Sequence, residues 1–184
     1  MKLVLTRHCE TNWNRERRIQ GQSGVGINKQ GEEQARQLGE SLRGLGTEKI
    51  VSSDLKRAQE TALILAEILG LPVEYDRRLR ECSFGVLEGK TQEEIEAITG
   101  ERWPLDHEPY DFSRFGGESR DDVLRRHLSL VGELFQKSPH ATTLLVGHGR
   151  GLTTLWNVRN PDQTIHKGEY RFFEINHPPV PTLP

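Results

Sequence analysis

Residues 1–14 read MKLVLTRHCETNWN. The apolar run Leu3-Val4-Leu5 stops abruptly at Arg7, His8, Cys9 and Glu10, so charged and reactive side chains follow directly on the first predicted strand, LVLT (3–6). Two later stretches repeat the arrangement. KIVSS (49–53) leads into Arg57, and TTLLVG (142–147) leads into His148. Short apolar runs bounded by polar residues are the pattern of buried strands, and each of these three ends in groups that suit a site rather than a core.

Helical patterns alternate with the runs. In NKQGEEQARQLGESLRGL, Ala35, Leu38, Leu42 and Leu45 recur at helical spacing behind Asn28, a natural N-cap. In DLKRAQETALILAEILG, Leu55, Ala62, Ala66 and Leu69 predict one apolar face, and Gly70 with Pro72 ends the helix. SRDDVLRRHLSLVGELFQ opens with Ser119-x-x-Asp122, which resembles a capping box, and carries two adjacent apolar stripes. YRFFEIN (170–176) alternates like a last, partly exposed strand. Strands alternating with helices predict an α/β layered sheet with crossover connections. Neither a repeat nor a dividing linker interrupts the chain, so residues 1–176 are expected to form one domain and the proline-rich 177–184 a tail.

Composition narrows the function. A net charge of −2 leaves no basic footprint for nucleic acid or an anionic membrane. Aromatics are few and scattered, so no stacking platform for bases is expected. Leu3–Leu5 is too short for the apolar region of a signal peptide, and no stretch approaches a membrane span. Cys9 and Cys82 make neither a CxxC pair nor a disulfide framework, which suits a reducing cytoplasm.

Residues 8–27 and 77–90 carry little periodicity but many Arg, Gln, Glu and Gly residues. Ligands of open α/β sheets bind beyond the carboxyl ends of strands, where such loops lie. Arg7 and Arg57 offer guanidinium forks matched to phosphate or carboxylate, Arg57 in the first turn after its strand. An imidazole beside two arginines is expected to be neutral and nucleophilic at pH 7, and His8 could then attack phosphorus. His148 could donate to the phosphoryl oxygens. A partly buried carboxyl able to hold a proton would protonate the leaving alkoxide, and Glu81 in LRECSFGVLEGKT, beside Phe84 and Leu87, is the candidate. Two other readings are weaker. GVLEGKT (85–91) looks like a Walker loop but is one residue short between its glycines and lacks a preceding strand. His8-Cys9-Glu10 could suggest a metal, but adjacent ligands diverge and arginines repel a cation, so neither metal nor cofactor is expected.

Together these segments resemble the histidine phosphatase superfamily, in the branch of cofactor-dependent phosphoglycerate mutases and alpha-ribazole phosphatases. RHCETNWN resembles the phosphorylated-histidine signature; RRIQGQ, SSDLKRAQETA, LRECSFGVLEG, GGES (116–119) and VGHGRG resemble the remaining markers, in order. The resemblance implies a three-layer α/β/α sandwich with a mostly parallel sheet. It carries the nucleophile onto His8, the proton donor onto Glu81, and phosphate contacts onto Arg7, Arg57 and His148. Asn14, Gln20, Gly21 and Gly149 fall at substrate-binding positions. Two departures are visible: Cys9 stands where glycine usually follows the nucleophile, and QGQSGVGINKQG lacks the family's Asp-x-Pro-Leu-Thr wording.

The expected activity is metal-independent hydrolysis of a small phosphomonoester through phosphohistidine. A phosphoglycerate-type mutase is the alternative, disfavoured because only the short stretch 82–117, with Arg114 the single arginine of WPLDHEPYDFSRF, separates Glu81 from Glu118. A non-enzymatic phospho-ligand module is a further alternative. Neither substrate nor oligomeric state can be read. Cys9 and Cys82 are expected to be two small buried side chains that never meet; the alternative is that Cys9, near two arginines, has a lowered pKa and oxidises, alone or with Cys82.

Overall fold

The computed structural model describes residues 1–101, 110–158, 160 and 164–178. Five strands, β1 (Lys2–Arg7), β2 (Lys49–Ser52), β3 (Val73–Tyr75), β4 (Thr142–Gly147) and β5 (Tyr170–Glu174), form one sheet in the order β3-β2-β4-β1-β5. All pairings are parallel except that of β5 with β1. The α-helices are α1 (Asn12–Arg15), α2 (Lys29–Leu42), α3 (Lys56–Leu69), α4 (Gln92–Thr99), α5 (Arg120–Lys137) and α6 (Gly149–Trp156).

Alternation along the strands builds the layers. Val4, Ile50, Leu144 and Val146 pack beneath α2 and α3 through Leu38, Leu42, Ala58, Ala62 and Leu65. Their neighbours Leu3, Leu5, Val51 and Leu145 face the other way, onto α5 and α6. Each fully buried aliphatic side chain stabilises the fold by about 1.5–3 kcal/mol through burial. The result is the expected α/β/α sandwich. A third apolar cluster, including Cys82, Phe84, Ile95, Tyr110 and Phe112, lies under the loops that follow Leu79.

Register does what the site requires. Arg7 pairs with Gly147, and both Thr6 and Ser52 lie opposite Val146, so β1, β4 and β2 end level. The ladder continues one residue further on each side, His8 N–H donating to Gly147 O and Ser53 N–H to Val146 O, both at 2.9 Å. Behind His8, Gly31 in α2 lies so close to the Glu10 carbonyl that a Cβ there would collide with backbone.

Asn28 caps α2, accepting from Gly31 N–H at 2.8 Å, Gly70 ends α3 at φ 67°, and Ser119 with Asp122 forms a full capping box. The buried face of α3 is shifted from the predicted one: Arg57, Ala58, Thr61, Ala62 and Leu65 are inside, while Ala66 and Leu69 are only partly covered. The amino-terminal half of that face includes Arg57, whose charge the apolar pattern ignores. Three elements escaped the sequence reading. β3 is a short edge strand with two exposed residues, α4 buries one side chain, Ile95, and α6 begins with Gly-Arg-Gly. The loops read as irregular contain single turns, α1 and the 3₁₀ turns Arg77–Leu79 and Gly85–Leu87. Residues 179–184 of the expected tail lie outside the described residues, and no helix among the described residues is long and apolar enough to cross a membrane.

Candidate active site

The level strand ends bring Arg7, His8 and His148 together, and α3 adds Arg57 from its first turn. His8 and Glu81 line one cavity of about 650 Å³ with Arg7, Arg57, Gly149 and Arg150. Asn14, Gln20 and Gly21 line it too, whereas His148 is fully buried, its ring centroid 5.2 Å from that of His8.

The first bond to settle is at His8. Its Nδ1 lies 2.7 Å from the carbonyl oxygen of Cys9. A carbonyl only accepts, so Nδ1 carries the proton and the free lone pair is on Nε2. Burial, then the charges of Arg57 and Arg7, hold the His8 pKa well below that of a free histidine. The ring is therefore neutral with its nucleophilic nitrogen available. His148 Nε2 is 2.8 Å from Ser53 Oγ, and its Nδ1 is buried with no hydrogen-bond partner. Its pKa is lowered well below that of a free histidine by burial, then by Arg57.

Arg57 is fully buried and Arg7 partly so, and among the described residues no carboxylate is hydrogen-bonded to either. Arg57 donates to the carbonyls of Gly21 at 2.6 Å and Ser23 at 3.0 Å, while its Nε has no partner. Arg7 Nε is likewise buried and unpartnered. Burial lowers the pKa of both, that of Arg57 to about 10, so both stay charged at pH 7. Glycines make room around them. A Cβ on Gly149 would come 2.8 Å from Arg7 Cζ, and one on Gly21, at φ 48°, would run into the Glu88 carboxylate.

Glu81 is held by backbone. Its carboxyl accepts from the N–H groups of Cys82 at 2.9 Å, Gly151 at 2.9 Å and Arg150 at 3.2 Å. Arg126 pins the segment before it, donating to the carbonyls of Arg78, Arg80 and Glu81 and to both oxygens of Glu118. Glu118 in turn accepts from Ser83 N–H at 2.8 Å. Sequence reading missed Arg126, Ser53 and Arg150. Arg150 stood inside VGHGRG, and a third arginine beside a strand end was the available signal; Arg126 looked like any charge on an amphipathic helix.

The cysteines follow the packing reading and not the oxidisable alternative. Cys9 is fully buried, its N–H bonded to Thr61 Oγ1, and burial pushes its thiol up to about 11. Burial raises the Cys82 thiol further, and its Sγ lies near the carbonyls of Ser83 and Glu118. Desolvation is the main cause of both shifts, so neither carries the thiolate that oxidation needs, and both are packing.

The chain belongs to the histidine phosphatase superfamily (branch 1), whose family model matches residues 3–163. A probable phosphoglycerate mutase GpmB of Salmonella paratyphi A is 40% identical over 159 residues, which span 84% of this chain and 73% of that one. Among solved structures, Bacillus stearothermophilus YhfR superposes with a TM-score of 0.85 at 31% identity, covering 96% of this chain and 92% of its own. A mycobacterial glucosyl-3-phosphoglycerate phosphatase complexed with VO3 gives 0.77 at 34% identity, over 85% of this chain and 79% of its own.

Three fully buried histidines make a pH prediction. His8, His148 and His127 all have lowered pKa values, that of His127 to about 3, with burial the main cause. Unfolded histidines take up protons below about pH 6.5, where these stay neutral, so the unfolded state binds more protons and stability is lost as the pH is lowered. It should be fully present above pH 6.5 and fall towards the folded values, by about 1.4 kcal/mol per pH unit per histidine. Urea unfolding at pH 7.5 and 5.5 measures this, and equal free energies would contradict the neutral assignment.

Proposed function

We propose that the protein hydrolyses small phosphomonoesters through a phosphohistidine on Nε2 of His8. The observation that carries this reading is a neutral imidazole, its free nitrogen set by the Nδ1 bond to Cys9 O, near Arg7 and the buried Arg57, to which no carboxylate among the described residues is hydrogen-bonded. In the first step Nε2 attacks phosphorus, and the bond to the leaving oxygen breaks. Glu81 gives that oxygen its proton. Arg7 and Arg57 offset the charge on the phosphoryl oxygens, and His148, bridged to Ser53, stands close enough to the His8 ring to add a donor. In the second step water attacks the phosphohistidine, Glu81 takes back a proton, and phosphate leaves. None of these steps calls on a metal ion.

A mutase reading is favoured by the name of the Salmonella relative. Hydrolysis is supported by the short stretch between Glu81 and Glu118 and by the phosphatase among the structural neighbours. The partner is then a small phosphorylated metabolite, with no nucleic acid or membrane involved. Two buried free thiols suit a cytoplasmic location.

His8→Ala should abolish phosphate release, and wild type quenched during turnover should hold one acid-labile, base-stable phosphoryl group. An acid-stable group, or one that persists in His8→Ala, would place the nucleophile elsewhere. Transfer of the group to a second hydroxyl of the substrate, without phosphate release, would identify a mutase.

Glu81→Gln should slow alkyl phosphate hydrolysis about 10²–10⁴-fold. It should slow p-nitrophenyl phosphate far less in the phosphorylation step, since nitrophenolate leaves without a proton. Burst kinetics separate that step from the hydrolysis that follows, and equal losses in it would remove Glu81 as the acid.

A further inference from the structure

Ser53 lies between the end of β2 and the helix that carries Arg57. It is fully buried and donates its N–H to Val146 O at 2.9 Å. Its hydroxyl makes two hydrogen bonds among the described residues. Oγ accepts from Leu55 N–H at 3.2 Å, a local turn that leads into α3, and it lies 2.8 Å from Nε2 of His148. Either atom of the second contact could donate, and which one does decides what His148 can do.

A hydroxyl has one hydrogen, and a neutral imidazole has one N–H. His148 is held neutral by its burial and by Arg57. Two arrangements exist. If Nε2–H donated to Oγ, the Ser53 hydrogen would have no acceptor among the described residues, and the Nδ1 lone pair would be buried without a donor. Each such orphan costs about 1–3 kcal/mol. If Oγ–H donates to Nε2 instead, both atoms of the contact are satisfied, and one group is left over, the N–H on Nδ1. The second arrangement is favoured by one buried orphan fewer.

The two histidines of the site then take opposite parts for one reason. Nδ1 of His8 faces a carbonyl, which only accepts, so the other nitrogen keeps a lone pair. Nε2 of His148 faces a hydroxyl with a hydrogen to give, so the other nitrogen keeps a proton. We propose that Ser53 is a positioning residue that fixes the His148 proton on Nδ1, so that this ring meets the phosphoryl group as a hydrogen-bond donor. A lone pair in its place would repel the charge that a donor stabilises. The use of the donor rests on the phosphatase reading, whereas the place of the proton does not.

Nitrogen NMR of the isotope-labelled protein at pH 7.5, without substrate, tests the place of the proton, because protonated and bare ring nitrogens differ widely in chemical shift. The His148 signals are assigned by their loss in His148→Gln. Wild type should show a protonated Nδ1 and a bare Nε2. Ser53→Ala, which leaves Nε2 without its donor, should move the proton wholly or partly to Nε2, and Ser53→Thr, which keeps the hydroxyl, should hold it on Nδ1. Burst kinetics give the second readout. Ser53→Ala should slow the phosphorylation step by between about tenfold and about 10³-fold, the upper figure being loss of a whole donor. A role confined to supporting the start of α3 would leave the tautomer as it is in wild type. A proton on Nε2 in wild type, an Nδ1–H that survives intact in Ser53→Ala, or an unchanged phosphorylation rate in that variant overturns the proposal. If Ser53→Ala does not fold, the wild-type tautomer decides. Absence of phosphate release from esters would count against the phosphatase reading alone, since the tautomer is measured without turnover.

Discussion

Two guanidiniums, Arg7 at the end of β1 and the buried Arg57 in the first turn of α3, with no carboxylate among the described residues hydrogen-bonded to either, are the constraint on which the rest of this structure depends. Burying a charge costs several kcal/mol unless a partner repays it. Arg57 recovers part through the carbonyls of Gly21 and Ser23, and Arg7 leaves a buried nitrogen unpartnered. On the proposed function, the substrate's phosphate is the anion that offsets this charge. The same two charges help keep His8 neutral, so binding and nucleophilicity come from one arrangement. Gly149 is small because any side chain would press on Arg7.

The sheet delivers this arrangement with little freedom. Because β1, β2 and β4 are parallel and end level, Arg7, His8, Ser53 and His148 follow from register alone. Glu81 is different. It sits in a loop, and a loop residue keeps a catalytic geometry only if its surroundings fix it. Arg126 does so by joining three carbonyls of residues 78–81 to Glu118, and the first turn of α6 does so by offering N–H groups to the carboxyl. The strand that ends at His148 and the helix that follows it thus place both the His148 ring beside His8 and the N–H groups that hold Glu81.

Much of this was legible in the sequence, and the remainder was not for identifiable reasons. Leu3-Val4-Leu5, Ile50-Val51 and Leu144-Leu145-Val146 announce strands buried on both faces, and each ends where chemistry begins. Asn28, Gly70 and Ser119 mark helix ends by chemistry that works locally, so they could be read one by one. β3 and α4 could not, since one is exposed and the other buries a single isoleucine. The face of α3 was misplaced because apolar periodicity takes no account of a buried arginine. The oxidisable alternative for Cys9 fails for a related reason: proximity to positive charge could be guessed from the sequence, but burial dominates its thiol. Arg150 stood in plain view within VGHGRG, yet only tertiary packing brings Tyr110, Phe112 and Phe84 around it.

The central claim is that Arg7 and Arg57 form a preorganised phosphate site. Its most direct test is the urea unfolding midpoint of wild type and Arg57→Met as inorganic phosphate is raised at constant ionic strength. A ligand that binds only the folded state adds stability as RT ln(1 + [L]/Kd), about 2.7 kcal/mol at a hundredfold excess over Kd. The account predicts a rise of this form in wild type that is absent in Arg57→Met. A midpoint that does not move in wild type, or that rises equally in both proteins, would contradict it.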